Sequence, residues 1–506
     1  MWMLFPVSLN YIIMKKKYLF FVFLLGISLK TFAVYDINDR CKQAWVLLMD
    51  LDIDAAKNTL AKEIELHPEN YYAYYLEQTC DAYALIINSD DKDYQVFIEN
   101  YEKRREIMDE KDMDSPYYLA CYAEMELQLG IFNILKGSRF AGIKKAYSSY
   151  KKTYKNLKQY PDFKQSLKLD GFFNVAISNI PPFARWAVSF FGVSSNPDYG
   201  SQLIIENYHL QEHIEGVNME SALFVILAGK LNKSPEASYH FIQTLEGEMS
   251  DVFLLQYFKA NIAYRTGRNE EALAVLKPLG KKKGFYREVI YHYMLGKILL
   301  RKLDKRANHH LQEYLNRLEK QEYQKEINYQ LAIYSLLQSD ETAYLLYCTK
   351  VLDEGIDVNE RDREAIYDAG LDYIPNIELM KTRLLLSGGY VNQADSILRE
   401  YDNAKEDVLA YQLEYYFLKG KIEIAKQKDT AALESFEKVI QLGAKEDYYF
   451  ASESALLIGR IYQEQGFNEQ AKEYYKLCIK LFDSDYYEYI EDAARKALVY
   501  LETLEE

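Results

Sequence analysis

A fixed spacing of small and large residues recurs along this chain and sets strong limits on its fold. In the clearest copy, Gly459 is followed twelve residues later by Ala471 and four residues after that by Tyr475. Two small residues let a pair of helices pack closely, and the large residue fills the space beside them. The spacing therefore predicts repeated helical hairpins. Five further copies, one of them with its second helix one residue early, are Gly420, Ala432 and Phe436; Thr382, Ala394 and Leu398; Ala260, Ala272 and Leu276; Gly296, Ala307 and Leu311; and Ala44, Ala56 and Leu60.

This spacing resembles the tetratricopeptide repeat (TPR), in which positions 8, 20 and 24 carry the small, small and large residues. In the clearest copy the resemblance extends to Tyr462 at position 11 and Gly466 at position 15. It implies an all-α fold, a TPR-type solenoid of helical hairpins that forms a right-handed superhelix with a concave face. The chain has only 10 Pro and 22 Gly among 506 residues. This scarcity disfavours an all-β fold, which needs more frequent tight turns.

The concave face is the predicted binding site. Positions 5, 9 and 13 of each first helix point toward it, and within residues 250–480 they hold cationic, aromatic and aliphatic side chains. Position 9 is Asn261, Lys297, Arg383, Lys421 and Arg460; position 13 adds Arg265 and Arg301; position 5 is Tyr257, Tyr293, Leu379, Phe417 and Leu456. Such groups suit an extended or acidic protein segment, which is the predicted partner. The alternative is that the cations pair with Glu side chains of the protein itself.

The first 33 residues have the layout of a secretory signal peptide. Lys15–Lys17 precede an apolar run from Tyr18 to Ile27, and Thr31–Ala33 resembles a cleavage site. This layout predicts export to the periplasm, with Met14 as an alternative start. An uncleaved membrane anchor is the alternative outcome, since residues 1–13 are also apolar. Cleavage would remove four lysines and no acid, which takes the formal net charge from −15 to −19 and makes nucleic acid a poor partner.

Two structural units are predicted after the signal. Residues 34–215 form a divergent helical N-terminal module that begins with one TPR, and residues 216–506 form a TPR solenoid. Within the module, a Gly-x-Phe-Asn stretch is followed by a Ser, a double Pro and two glycines: Gly171, Phe173, Asn174, Ser178, Pro181, Pro182, Gly192 and Gly200.

These residues, and the Lys- and Tyr-rich stretch 137–154, resemble the tetratricopeptide-repeat protein 39 and inclusion-body-clearance family of eukaryotes. The resemblance covers roughly residues 39–205 and implies a helical, non-enzymatic adaptor. The chain departs from that family at Ser194–Pro197, where the family has a more charged turn. It also departs in its export signal, because members of that family face the cytosol.

Catalytic motifs are nearly absent from the sequence. His209 and His213 read as H-x-x-E-H, a zinc-hydrolase signature in which Glu212 would be the base. The alternative is chance on a polar helix, which we favour because the third carboxylate and the mixed α/β scaffold of such enzymes are missing. No Gly-rich phosphate loop, Gly-x-Ser-x-Gly or Cys-x-x-Cys occurs. We therefore predict no enzymatic activity, no catalytic residue, no metal and no cofactor.

A basic segment offers a different function. Lys144 to Lys168 contain eight Lys and one acid, Asp162, interleaved with Tyr. An apolar stretch ending at Val193 follows. Together, Lys144–Val193 predict docking to an anionic membrane surface as an alternative to groove binding. The competing interpretation, which we favour, is a solvated Lys face followed by a pair of core helices.

Overall fold

A computed structural model describes residues 35–87, 90–109, 115–179, 195–231, 234–245, 247–318, 323–357, 359–403, 406–481 and 487–503. Within these ranges the chain forms 24 α-helices, two short 3-10 helices and no β-strand. Successive helices pack as hairpins, which confirms the predicted all-α, TPR-type solenoid. The predicted signal peptide and the residues Pro181, Pro182 and Gly192 lie outside the described ranges. No helix within them is both long and apolar enough to cross a membrane.

The N-terminal part contains eight helices within the described ranges, and the 3-10 helix Lys164–Ser166 precedes the seventh. They are α1 (Asp39–Met49), α2 (Ile53–Leu66), α3 (Tyr71–Ile87), α4 (Asp91–Asp109), α5 (Pro116–Leu135), α6 (Arg139–Gln159), α7 (Leu167–Ile177) and α8 (Pro197–Gln211).

Glycines set the close crossings in this part. A Cβ atom on Gly171 would lie 2.5 Å from the carbonyl oxygen of Gly200, and one on Gly200 would lie 2.6 Å from that of Gly171. Helices α7 and α8 can therefore touch only because both residues lack a side chain. Asn174 supports the same crossing, since its side-chain oxygen accepts from the backbone N–H of Asn196 at 3.1 Å. Residues that carry the second family resemblance thus have structural roles here.

The middle of the described chain continues with α9 (Val217–Leu231), α10 (Pro235–Thr244), the 3-10 helix Gly247–Asp251, α11 (Phe253–Arg265), α12 (Asn269–Leu279), α13 (Phe285–Arg301), α14 (Ala307–Arg317), α15 (Gln324–Leu337) and α16 (Glu341–Asp353). A shorter helix, α17 (Glu360–Ala369), interrupts the hairpin order. The last hairpins are α18 (Ile377–Ser387) with α19 (Val391–Glu400), α20 (Leu409–Ala425) with α21 (Asp429–Gly443), and α22 (Phe450–Glu464) with α23 (Asn468–Leu481), followed by α24 (Glu488–Thr503).

The repeat register read from the sequence agrees with the packing. A Cβ atom added to Gly459 would lie 2.5 Å from Cε1 of Tyr475, and one added to Gly420 would lie 2.5 Å from Cε1 of Phe436. Position 8 therefore faces the large residue at position 24 of the same repeat. The position-20 alanines have no exposed surface: Ala56, Ala272, Ala394, Ala432 and Ala471, and likewise Ala307 in the shifted copy.

The N-terminal helices also pack against helices from the middle of the chain. Helix α1 packs against α9 and α11, and α3 packs against α13. Asp50, after α1, accepts hydrogen bonds from Arg287 Nη2 at 2.9 Å and from Lys282 Nζ at 2.8 Å. Among the described residues, one apolar core contains buried side chains from Tyr35 to Leu384, on both sides of the predicted boundary at residue 216. The N-terminal helices and the first repeats of the solenoid therefore pack as one body.

Candidate functional site

Three of the predicted groove cations are paired across repeat boundaries. The pairs are Lys297 with Glu326 at 2.5 Å, Arg383 with Glu414 at 2.5 Å, and Lys421 with Glu453 at 3.7 Å. In each pair the cation at position 9 of one repeat meets a Glu at position 2 of the next first helix. The pairing neutralises three of the six predicted groove cations, as the alternative interpretation of the sequence held for these three.

Where position 9 of a repeat is uncharged, position 2 of the next first helix is uncharged as well. Asn261 occupies position 9 of its repeat, and position 2 of the next first helix is Ile290. Ile333 occupies position 9 of α15, and the corresponding position 2 is Asn376. A carboxylate is present where the preceding repeat supplies a cation at position 9, so that each of the three paired cations has its counter-charge. The sequence contained this signal, but only when positions 9 and 2 of adjacent repeats are read together.

The remaining predicted cations have different surroundings. Arg460, at position 9 of the last repeat, is exposed and forms no ion pair with any described residue. Arg265 is also exposed as a residue, although burial of its guanidinium, followed by the charge of Arg361, lowers its pKa. Arg301 donates from Nη1 to the carbonyl oxygen of Tyr264 at 2.5 Å, and its guanidinium lies 3.5 Å from the centre of the Tyr264 ring.

The predicted aromatic residues mainly stabilise the repeats. The Tyr293 hydroxyl donates to Glu326 Oε2 at 2.7 Å and accepts from Lys297 Nζ at 2.9 Å. Phe417 is only 4 % exposed and packs in the core of the C-terminal repeats. Tyr257 is half-buried, and burial raises its pKa above the usual value. These three side chains belong to the packing between repeats more than to an open surface.

Helix α17 packs against both α15 and α16 and lies near groove positions of neighbouring repeats, and nothing in the sequence pattern had indicated this packing. Asp362 accepts hydrogen bonds from the backbone N–H groups of Glu326 at 3.0 Å and Tyr323 at 3.2 Å. It therefore caps the N-terminus of α15 from a distant part of the chain. Burial raises the pKa of Asp362 to about 6, and these two hydrogen bonds oppose the shift.

The other end of α17 contacts the C-terminal repeats. The Tyr367 hydroxyl donates to the carbonyl oxygen of Asp447 at 3.1 Å, and its ring centre lies 5.2 Å from that of Tyr487 and 6.3 Å from that of Tyr449. Asp368 accepts from the Tyr487 hydroxyl at 3.0 Å. Burial raises the pKa of Asp368, and the nearby Arg383 opposes the shift. Helix α17 thus joins the N-terminus of α15 to the segments that precede α22 and α24.

The H-x-x-E-H motif, which we weighed as a zinc site and did not favour, is not arranged as a metal site in the described structure. His209 Nδ1 lies 3.4 Å from Glu212 Oε1, and both side chains are more than half exposed. His213 is exposed as well. Among the described residues, no group of three or more His, Cys, Asp or Glu is arranged to hold a metal ion.

The basic segment divides into two faces. On the inner side of α6, Lys152 lies 2.8 Å from Glu126, and the buried Lys168 of α7 lies 2.6 Å from Glu220. The outer side of α6 carries exposed side chains that form no ion pair with described residues: Lys144, Lys151, Tyr154, Lys155 and Lys158. Lys151 does contact an aromatic ring, with Nζ 5.7 Å from the centre of Tyr147. The apolar part of the predicted membrane site, residues 180–194, lies outside the described ranges.

Comparisons with known proteins give similarity in fold only. No known protein family matches the sequence, and no curated protein matches it either. Among solved structures, the chain is similar to the TPR domain of P58(IPK), with 14 % identity, a TM-score of 0.21, and coverage of 93 % of this chain and 98 % of that one. It is also similar to IFIT1 monomeric mutants solved with m7Gppp-AAAA or Gppp-AAAA, with 15 % identity, a TM-score of 0.26, and coverage of 87 % of this chain and 80 % of those. Similarities at this level carry no inference about function.

Proposed function

We propose that this helical-repeat chain is an exported, non-enzymatic scaffold that binds a segment of a partner protein on its concave face. One observation carries the proposal: the concave face already holds a helix, α17, through the aromatic contacts of Tyr367 and the hydrogen bond from Tyr487 to Asp368. Docking of a helix into a groove is a common mode of protein recognition. The docking of α17 supports a helical segment as the ligand.

The charges that remain on this face favour an acidic segment. Arg460 and Arg265 are exposed, whereas Lys297 and Arg383 are already paired with Glu326 and Glu414. An acidic partner would gain ion pairs with the first two arginines without breaking the pairs between repeats. Because exposed charges are screened over about 8–10 Å at physiological ionic strength, we expect binding to weaken as salt rises.

The test is affinity capture with the exported protein, followed by identification of the bound partner and measurement of its affinity. We expect Arg460→Glu with Arg265→Glu to weaken binding at low salt, in protein that circular dichroism shows to be folded. Arg399→Glu is the matched control, because Arg399 lies on a second helix and its side chain is 72 % exposed. If the double variant binds as tightly as the wild type, the partner does not use the concave face.

Export is part of the proposal and has its own test. Cell fractionation should place the protein in the periplasm, and N-terminal sequencing of the mature protein should begin at Val34. Recovery of the intact N-terminus in the membrane fraction would favour the uncleaved anchor. Recovery in the cytosol would show that the proposed export is wrong.

Membrane docking through α6 is a second candidate function. The outer side of this helix presents Lys144, Lys151, Lys155 and Lys158 around the exposed ring of Tyr154. On a chain with a net charge of −15, such a face suits an anionic lipid surface. Co-sedimentation with phosphatidylserine vesicles at low salt, lost at high salt and in Lys151→Glu with Lys155→Glu, would support this function. Equal sedimentation with neutral vesicles would argue against it.

A further inference from the structure

Helix α17 is an insertion between two repeats. It follows α16 and precedes α18, and the residues on both sides of it, 354–357 and 370–376, are not helical. Of its ten residues, only Asp362 and Ala365 are fully buried. A short helix with irregular connections at both ends can leave its site as a unit, because such segments open at a lower free energy than a repeat core.

The contacts of α17 match the concave positions of the repeats. Asp362 meets the N-terminus of α15 beside Glu326, at position 2 of that repeat. Asp368 lies near Arg383, at position 9 of α18, whose charge opposes the burial of this carboxylate. Arg265 and Arg301 at position 13 lie close enough to Arg361 of α17 for its charge to shift both of their pKa values. Helix α17 thus occupies the surface expected to receive a ligand.

The chemistry of α17 is also that of the proposed ligand. It carries four carboxylates against two arginines, so its formal charge is negative. Its Tyr367 and Asp368 are adjacent. The Tyr367 ring contacts Tyr449 before α22 and Tyr487 before α24, and Asp368 accepts from the Tyr487 hydroxyl. A neighbouring aromatic and acidic residue supply contact area and a directed hydrogen bond at the same point.

We propose that α17 is an intrachain ligand of the concave face, and that the partner carries a short acidic helix with a similar aromatic–acidic pair that displaces it. This inference rests on the proposed function. It adds the chemistry of the partner's segment and identifies α17 as the segment that competes with it. A tethered segment acts at a local concentration of the order of mM. For a free segment that binds with a Kd of about 10 µM, the tether would weaken apparent binding by about 100-fold.

The test uses a fluorescent peptide with the sequence of residues 359–372 and three full-length proteins. Tyr367→Ala removes the ring contacts that hold α17 on the concave face. Tyr474→Ala is the matched control, because Tyr474 packs against Tyr462 in the last repeat and has no contact with α17. We expect the Tyr367→Ala protein to bind the peptide at least tenfold more tightly than the wild type or the control. A peptide with Ala in place of its Tyr should not bind.

Equal peptide affinity for all three folded proteins, or no binding to any of them, would overturn the inference. If Tyr367→Ala does not fold, hydrogen exchange of the wild type decides. Amides of α17 should exchange at least tenfold faster than those of α15 and α18, whereas exchange together with these helices would contradict the proposal.

Partner capture separates this inference from the proposed function. If wild type and Tyr367→Ala capture the partner equally, this inference fails while the proposed function stands; if the Tyr367→Ala protein binds the peptide but captures no partner, the proposed function fails.

Discussion

Lys297 and Glu326 form a buried ion pair across the boundary between two repeats, with 2.5 Å between Nζ and Oε1. Their side chains are 8 % and 4 % exposed. Burial alone would raise the pKa of Glu326, but Lys297, together with Arg361 and the hydrogen bond from Tyr293, outweighs it and holds the pKa below its usual value. Such a pair is satisfied only when the two helices keep their relative position. It therefore fixes how one repeat sits on the next.

We expect Glu326→Gln to destabilise the protein by about 3–5 kcal/mol, because the buried cation of Lys297 loses its counter-charge. Glu453→Gln is the control for the same repeat position. Lys421 is 39 % exposed and lies 3.7 Å from Glu453, so that loss of this pair should cost about 1 kcal/mol or less. Urea denaturation of both variants gives the comparison. Similar losses for the two variants would mean that burial does not decide the strength of the pairs.

The crossing inside the last repeat gives a second prediction. A Cβ atom on Gly459 would lie 2.5 Å from a ring carbon of Tyr475, which is itself fully buried. Gly459→Ala should therefore destabilise the protein by about 1–3 kcal/mol, since the ring must shift in a packed core. Combining it with Tyr475→Leu should recover part of the loss, because the shorter side chain leaves room for the methyl group. A double-mutant cycle by thermal denaturation measures this coupling, and strictly additive effects would show that the two residues do not touch.

The sequence was sufficient to predict this contact because the repeat is local. Gly459, Ala471 and Tyr475 lie within one hairpin, where helical periodicity fixes which residues face each other. In the same register, Lys297 and Arg383 fall at position 9. The register did not predict their partners, since each Glu lies in the next repeat, at position 2 of its first helix. The prediction of a cationic row therefore considered the cations at position 9 of each repeat without the Glu residues at position 2 of the next repeat.

A pair of histidines gives a pH dependence that the sequence had not indicated. His292 Nδ1 lies 2.9 Å from His310 Nδ1, so one ring donates to the other while at least one is neutral. Burial, then the neighbouring His292, His309 and Arg306, lowers the pKa of His310 to about 4, and Glu313 opposes the shift. Burial, then Arg317 and His309, also lowers the pKa of His292, with Glu313 and Glu288 opposing.

The direction of the effect follows from these lowered pKa values. Below the usual His pKa of about 6.5, the unfolded chain takes up protons that the folded protein does not. This contribution to stability is complete above pH 6.5 and is lost as the pH falls toward about 4. We expect His310→Gln to reduce the slope of stability against pH in this window, measured by urea denaturation at closely spaced pH values. His240→Gln is the control, and an unchanged slope in His310→Gln would contradict the assignment.

Long-range contacts were beyond prediction for a physical reason. Helix α17 is held in place by Asp362, Tyr367 and Asp368, and none of these residues departs from an ordinary surface-helix pattern. What places them is the shape of a surface built by several repeats. Similarly, Asp50 and Arg287 are separated by 237 residues, and neither has a local signature of its partner. Periodicity predicts which side of a helix is buried but does not identify the distant element that covers it.

The contact of Asp50 with the middle of the chain gives the last prediction. Its carboxylate accepts from Arg287 Nη2 at 2.9 Å, from Lys282 Nζ at 2.8 Å and from the backbone N–H of Phe253 at 3.0 Å. We expect Asp50→Ala to cost about 1.5–3 kcal/mol, the usual range for hydrogen bonds to a charged group. Asp251→Ala is the control, because its side chain is 84 % exposed and lies 3.5 Å from the same Lys282.

Hydrogen exchange would show which helices are destabilised by Asp50→Ala. In Asp50→Ala, amides of α1 and α2 should exchange faster, because the first hairpin loses its link to α11 and α13, while amides of α20 to α23 should be unchanged. In Asp251→Ala, both regions should exchange as in the wild type. Uniformly faster exchange throughout the Asp50→Ala protein would mean that Asp50 supports the whole fold and does not act as a local clamp between the first hairpin and the repeats.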